Sequence, residues 1–442
     1  MVARTTNTLQ MLTKQTSAQD WFGQPRGMAV VCAVEMWEVF SMQGMRTLLV
    51  YYLTTQLLFS QPRASSIYGT YIAFVFLTPL AGGLLADRWL GRRRSVFIGG
   101  GLMALGQFLM TSPSLLFVAL TVLAVGNGFY KPCLASQIQD LYPPDDPRRD
   151  SAYSIFYAGK NLGAVLAPLG CGTIGELLGW RWGFTVAGVG MLVGIGVYLF
   201  GLRYLPRELP TGERKKSPFG EGPHARIFSA RQCARLAALT IGVVLFILAY
   251  EQLGNTFAIW VESGVDRSIG AVTIPMTWFQ AINPLLVFVL TPVLILRWKR
   301  LGRQDREPGA IAKMAGGSLI LCVGYLLLAA VVALASAREQ SVGVLWVVPF
   351  LVLYTIAELH VLPIGLGLYS KLAPPRFAAS VVAGWFLTIF AGNFAAGQIG
   401  RLWSQISAAQ FFLTLAGFAG ASGLLLLWAR DEVVVAREQR SA

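Results

Sequence analysis

Six ionisable side chains, Glu35, Glu38, Lys131, Lys160, Glu251 and Glu358, stand inside stretches of sequence that are otherwise apolar. If those stretches cross a bilayer, each charge costs about 2.5–3.5 kcal/mol to insert, so each is a candidate for handling an ion or a substrate. Glu35 and Glu38 are three apart and share one face of a helix. A nearby cation would hold such a pair ionised, whereas their mutual repulsion would favour uptake of a proton. Lys131, just before Pro132, offers a fixed ammonium for an anionic group or for one of those acids, or it snorkels to an interface. A carboxyl such as Glu251 that loses water when a path closes prefers its neutral form, which ties proton binding to conformation. For each acid the plainer alternative is polar packing between helices. His360 is either an added titrating group or a packed core histidine, and packing is preferred.

The elements that must position these groups are membrane helices. Of 442 residues, 55% are hydrophobic and 13% are charged, against roughly a quarter charged in a soluble domain. Twelve spans are expected near 29–57, 67–86, 95–118, 120–141, 151–173, 182–203, 236–261, 271–296, 313–336, 344–370, 379–402 and 406–429. Only helices serve in such a number of open spans, because an unpaired strand edge in hydrocarbon leaves backbone groups unsatisfied. The formal charge of +14 reports topology and not a nucleic-acid partner. Alternate loops and the two ends carry 28 of the 36 Lys and Arg, and the opposite loops carry five. That asymmetry fits a cell (inner) membrane protein with both termini cytoplasmic. The polar, Pro-rich stretch around 204–235 divides the chain, so an N-terminal six-helix bundle over 1–203, a cytoplasmic linker over 204–235 and a C-terminal six-helix bundle over 236–442 are expected. Residues 1–28 lack the pattern of a cleavable signal peptide, so the first span is expected to stay as a helix. The five Cys are scattered without metal-ligand spacing, and neither a nucleophile–base–orienter set nor a phosphate loop is present. An enzyme, a resident metal and a cofactor are therefore not expected.

Residues 81–94 read AGGLLADRWLGRRR, in which Gly82 and Gly83 permit close helix approach while Asp87 can cap a helix end and pair with Arg88 or Arg92. This segment resembles the loop motif between the second and third helices of the major facilitator superfamily. Further segments are GNGFYKP (126–132), DLYPPDDPRRDSAYSIFYAGKNLGA (140–164), YEQLGNT (250–256), WFQAINP (278–284), AELHVLPIGL (357–366) and GWFL (384–387). In that order they resemble the proton-dependent oligopeptide transporter family, over nearly the whole chain from Trp21 to about Trp403. The resemblance implies an all-α polytopic membrane protein with the major facilitator fold, two six-helix bundles and 12 transmembrane helices.

It also implies roles. Glu35, Glu38 and Glu251 would couple protons. Lys131 would lie near the substrate carboxylate, and Glu358 with Asn283 beside it would receive the amino terminus, so that a zwitterion is read at both ends. Tyr71, Trp278 and Trp385 would line the cavity with aromatic surface. Asn161 belongs to the same pocket, as does Lys160, which stands where relatives carry an apolar residue. One departure bears on coupling: the family reads ExxER followed by FxYYG, whereas this chain reads EMWEVFSMQG over 35–44, with Val39 in place of the Arg and Met42 and Gln43 in place of two Tyr. Lys160 either replaces the positive charge lost at Val39 or faces a helix interface.

The expected function is secondary active transport, proton-coupled uptake of di- or tripeptides or of peptide-like zwitterions by alternating access, with peptide, protons and the lipid bilayer as the partners. Two alternatives stand beside it: an uncoupled facilitator or exporter of another amphiphilic small molecule, and a non-transporting membrane sensor.

Overall fold

Each of the twelve expected apolar segments coincides with a helix in the structure, a computed structural model that describes residues 20–21, 23–142, 146, 148–206, 230–372 and 378–441. In chain order they are α1 (Arg26–Tyr51), α2 (Gln61–Leu85), α3 (Arg92–Leu109), α4 (Leu116–Asp140), α5 (Arg148–Ala167), the short α6 (Thr173–Leu178), α7 (Trp180–Gly201), α8 (Ala230–Tyr250), the short α9 (Thr256–Gly264), α10 (Trp278–Gly302), α11 (Ala310–Ala337), α12 (Val347–Leu372), α13 (Ala378–Gly400) and α14 (Ala408–Ser441). Nine helical spans among the described residues are long and apolar enough to cross a membrane. The other three expected spans are α1, α3 and α13, of 26, 18 and 23 residues. Arg26, Glu35, Glu38 and Arg46 make α1 the most heavily charged of them. Most of the expected linker, residues 207–229, lies outside the described residues.

Several boundaries differ from expectation, each for a local reason. The third span ends at Leu109 and the next begins at Leu116, because Ser112 is extended and Pro113 opens a 3-10 turn. The seventh breaks after Tyr250 into a 3-10 turn, Glu251–Gly254, before α9 starts at Thr256. The eighth begins at Trp278 rather than 271, since residues 265–273 form two-residue strands: Val265–Asp266 pairs in parallel with Val342–Gly343, and Ser268–Ile269 pairs antiparallel with Val272–Thr273.

The chain forms two compact units. One comprises Met1–Met45, Thr78–Ala167 and Phe184–Arg214; the other comprises Arg46–Leu77, Pro168–Gly183 and Lys215–Ala442. In the first, α3 and α4 pack tightly, and glycine makes such contacts possible: a Cβ on Gly99 of α3 would collide with the carbonyl of Gly126 on α4, and one on Gly82 of α2 with the carbonyl of Gly128. Gly83, by contrast, sits at ordinary distance from Pro132. In the second, α11 packs on α12 and α14, and α8 on α13 and α14. Its core is aromatic, with Phe246, Phe257, Tyr325, Phe350, Tyr354, Phe411 and Phe412 buried together. Large apolar side chains such as Phe200, Leu296, Leu334 and Leu424 remain exposed on helix surfaces, as lipid-facing residues must.

Candidate functional site

In the first unit the two carboxylates of α1 converge on one lysine. Lys131 Nζ on α4 donates to Glu38 Oε2 at 2.5 Å and to Glu35 Oε1 at 3.1 Å. Both acids are buried, Glu38 completely. Lys131 side-chain surface is one-third exposed, at 33%, so it is the member of the trio that remains reachable. Glu38 Oε1 has no hydrogen-bond partner among the described residues. Tyr130 donates to the Val34 carbonyl at 3.4 Å and so packs against the same stretch of α1. Val39, next to Glu38, is buried.

On α5, Asn161 is buried and donates to the carbonyl of Tyr157 in its own helix at 2.8 Å. Lys160 is exposed, and its charge acts on Glu38. At the start of this helix Asp146 accepts the backbone amide of Arg148 at 2.9 Å and its guanidinium at 2.8 Å. Those hydrogen bonds from Arg148 hold the Asp146 carboxyl below its ordinary value.

The motif of residues 81–94 takes a specific form. Asp87 and Arg88 are exposed on a π-helical turn, Ala86–Leu90, and Gly91 with φ +76° turns the chain into α3. Arg92 pairs with Asp140 at the end of α4 at 2.5 Å. Arg93 donates to the carbonyls of Leu205 and Pro206 at 2.9 and 2.6 Å.

In the second unit, Glu251 is buried and bound to Arg46. Arg46 Nε also donates to the Tyr68 hydroxyl at 2.8 Å. The break in the helix after Tyr250 is what presents Glu251, and the rest of YEQLGNT holds that break in place. Gln252 donates to the Ala396 carbonyl at 2.9 Å, while Asn255 and Thr256 donate to Gln252 Oε1 at 3.2 and 2.9 Å. Ser65 on α2 donates to Asn255 Oδ1 at 2.8 Å, and Gln61 donates to Ser65 at 2.7 Å and to the Gly400 carbonyl at 2.8 Å. Such a network, satisfied from several helices, fixes one geometry for the turn.

Glu358 on α12 is half-buried, and its Oε2 accepts from Asn283 on α10 at 2.8 Å. Asn283 also donates to Thr355 at 3.0 Å, so one amide orients the acid against its own helix. Tyr250 and Tyr354 stack at 4.7 Å, and the charges of Glu358, Glu251 and Arg46 all act on Tyr250. Tyr71 is buried. Trp385 is also buried and packs edge-on against Tyr369 at 5.1 Å. Trp278 is exposed, with its indole N–H donating to Thr173 at 2.7 Å. His360 is half-buried, with Nδ1 2.7 Å from the Ile356 carbonyl and its ring edge-on to Trp298 at 5.3 Å.

Two residues emerge that the sequence reading did not select. Arg46 lies eight residues after Glu38 and eleven after Glu35, on the same helical face, and that spacing was the available signal. Glu176, on α6, caps another helix: its carboxylate accepts the backbone amides of Met276 and Thr277, at 3.0 and 2.9 Å, immediately before α10. Nothing in its local sequence announces a partner a hundred residues away.

Residues 36–398 match the Major Facilitator Superfamily. The chain is 30% identical to the peptide transporter YePEPT of Yersinia enterocolitica, covering 95% of this chain and 96% of that protein. It is likewise 30% identical to a di-/tripeptide transporter of Lactococcus lactis, with coverages of 92% and 95%. Among solved structures, that of a peptide transporter POT in complex with sulfate superposes with a TM-score of 0.82 at 28% identity, covering 94% of this chain and 97% of that one. A buried ion pair at a helix break, a pair of acids closed on a lysine, and a match of this extent in fold and sequence agree: the chain is a multi-pass membrane transporter of the proton-dependent oligopeptide transporter family, within the major facilitator superfamily.

Proposed function

We propose that this transporter takes up di- and tripeptides, or peptide-like zwitterions, together with protons, by alternating access in the inner membrane with both termini in the cytoplasm. The observation that carries the reading is the buried Arg46–Glu251 pair, anchored by Tyr68. A proton on Glu251 removes the charge that Arg46 answers, so protonation loosens one specific contact and shifts the balance between conformations. Glu35 and Glu38, closed on Lys131, are the second proton-responsive group. Lys131, partly exposed, is suited to a substrate carboxylate, and Glu358, oriented by Asn283, to an ammonium. Tyr71, Trp278, Trp385 and Asn161 complete the substrate-facing set, while Asp87, Arg88 and Arg92 belong to a gating loop. The halves that move are the bundles 1–203 and 236–442, joined by 204–235. The peptide specificity of the relatives supports the substrate class.

The test is uptake of a labelled dipeptide into proteoliposomes. An inward proton gradient should concentrate it, and Glu251→Gln should abolish accumulation while leaving exchange of internal for external peptide. The replacement of the family's arginine and tyrosines by Val39, Met42 and Gln43 favours one competing reading, an uncoupled carrier. That reading predicts equilibration without accumulation, unaffected by the gradient.

A further inference from the structure

Two carboxylates and one hydrogen-bonded lysine leave the cluster on α1 short of a cation. Glu35 and Glu38 are both buried, Lys131 reaches both, and Glu38 Oε1 is left without a hydrogen-bond partner among the described residues. A second ammonium comes from α5. That helix lies flush on α1: a Cβ on Gly163 would collide with the Met36 carbonyl, and one on Gly159 would collide with Cys32. With the two backbones so close, a lysine next to Gly159 has a side chain long enough to bring its charge to the acids from the flank of the contact. Asn161, the neighbouring polar residue, carries no charge and cannot take that part. Lys160 is exposed and acts electrostatically on Glu38.

We propose that Lys160 is the second counter-cation of the Glu35–Glu38 pair, a positioning residue that balances two acids with two lysines and thereby sets the pH range over which the transporter takes up substrate. The inference rests on the proton-coupled reading above. It assigns to α5 a charge that α1, with Val39 after Glu38, does not supply. Among the described residues, the titratable and charged groups that act on the pair are Cys32 on α1, Tyr130 and Lys131 on α4, and Lys160 on α5, with Tyr198 on α7 behind Tyr130. Of these only the two lysines are cations, so removing Lys160 halves the positive charge that competes with a proton for Glu38.

The experiment measures dipeptide uptake by proteoliposomes between pH 5 and 8 for the wild type, Lys160→Ala and Lys160→Arg. Size-exclusion profiles confirm that the exposed substitutions fold. Without Lys160 the acids bind a proton more readily, so the midpoint of the uptake profile should move about one pH unit upward. The maximal rate should change with it while KM stays near the wild-type value, and Lys160→Arg should restore the midpoint. A raised KM at an unchanged midpoint would make Lys160 a substrate ligand instead and overturn the proposal. So would an alanine profile that superimposes on a sloping wild-type profile. A wild-type profile flat in pH would overturn the coupled reading itself and this inference with it.

Discussion

Glu251→Gln and Arg46→Met, alone and together, form a double-mutant cycle whose outcome follows from the environment of the pair. Glu251 exposes 6% of its side-chain surface and Arg46 25%. Breaking a fully buried ion pair by removing one partner costs about 3–5 kcal/mol, most of it from stranding the other charge. Here Arg46 keeps its hydrogen bond to Tyr68 at 2.8 Å and some contact with water, so the stranding penalty is smaller. About 3 kcal/mol is expected for Arg46→Met, which strands the more buried partner, and about 1 kcal/mol for Glu251→Gln, whose amide oxygen still accepts from the guanidinium. The double variant should lose less than the sum, with a coupling energy of about 1 kcal/mol or more. Equilibrium unfolding in mixed detergent micelles reads these differences, and proteoliposome uptake under an inward proton gradient reads the consequence. Both Glu251 variants should lose accumulation and keep exchange. Additive losses in the cycle, or a Glu251→Gln protein that still concentrates dipeptide, would refute the assignment of this pair as a proton-controlled contact.

Glu176→Ala should leave the amides of Met276 and Thr277 without their acceptor and lower stability by about 1–3 kcal/mol, while Glu176→Gln, keeping one acceptor oxygen, should lose less; thermal unfolding of the two proteins side by side is the check. Glu358→Gln should raise KM about 10-fold or more for a dipeptide with a free amino terminus and leave an N-acetylated one unaffected, since a charge-assisted hydrogen bond is at stake in only one of them; equal effects in competition assays would count against the amino-terminal role. Gly163→Leu should reduce the yield of folded protein and its unfolding temperature, because the added carbon meets the Met36 carbonyl and overpacking costs about 1–3 kcal/mol.

The membrane helices were legible because length, low charge and the alternation of basic loops all report the same solvent. Their ends were less so. The break at Glu251–Gly254 is made by Gln252, Asn255 and Ser65 bonding across helices, and no local propensity encodes that. Glu35, Glu38, Lys131, Glu251 and Glu358 could be selected because a charge in an apolar run has few other reasons to be there. Arg46 stands near the end of its helix, where snorkelling is an ordinary explanation, and only its partner shows otherwise. Glu176 binds backbone amides, which leave no mark in the sequence of either segment. Asn161, which the family resemblance puts in the pocket, has one amide hydrogen bond to the Tyr157 carbonyl of its own helix, a partner always within reach of a short polar side chain there.

The two clusters of charge bear on coupling in different ways, and the difference is physical. Glu35 and Glu38 share Lys131, so in the proposed cycle a proton on one would strengthen the hold of Lys131 on the other and redistribute bonds. Among the described residues Glu251 pairs with one cation, Arg46, so in the proposed cycle its proton weakens that one contact directly. An ion pair with about 1–2 kcal/mol of coupling shifts a conformational equilibrium by about 5- to 30-fold when it is lost. One such pair biases a transporter without locking it, and moving from almost all of one state to almost all of the other takes about 5.5 kcal/mol. In the proposed cycle the remainder has to come from substrate contacts made at Lys131 and Glu358. On that reasoning a proton alone leaves the equilibrium divided and a proton with peptide completes the shift, so proton leak without substrate should be slow and strongly peptide-stimulated, as a pH-sensitive dye inside the liposomes would record.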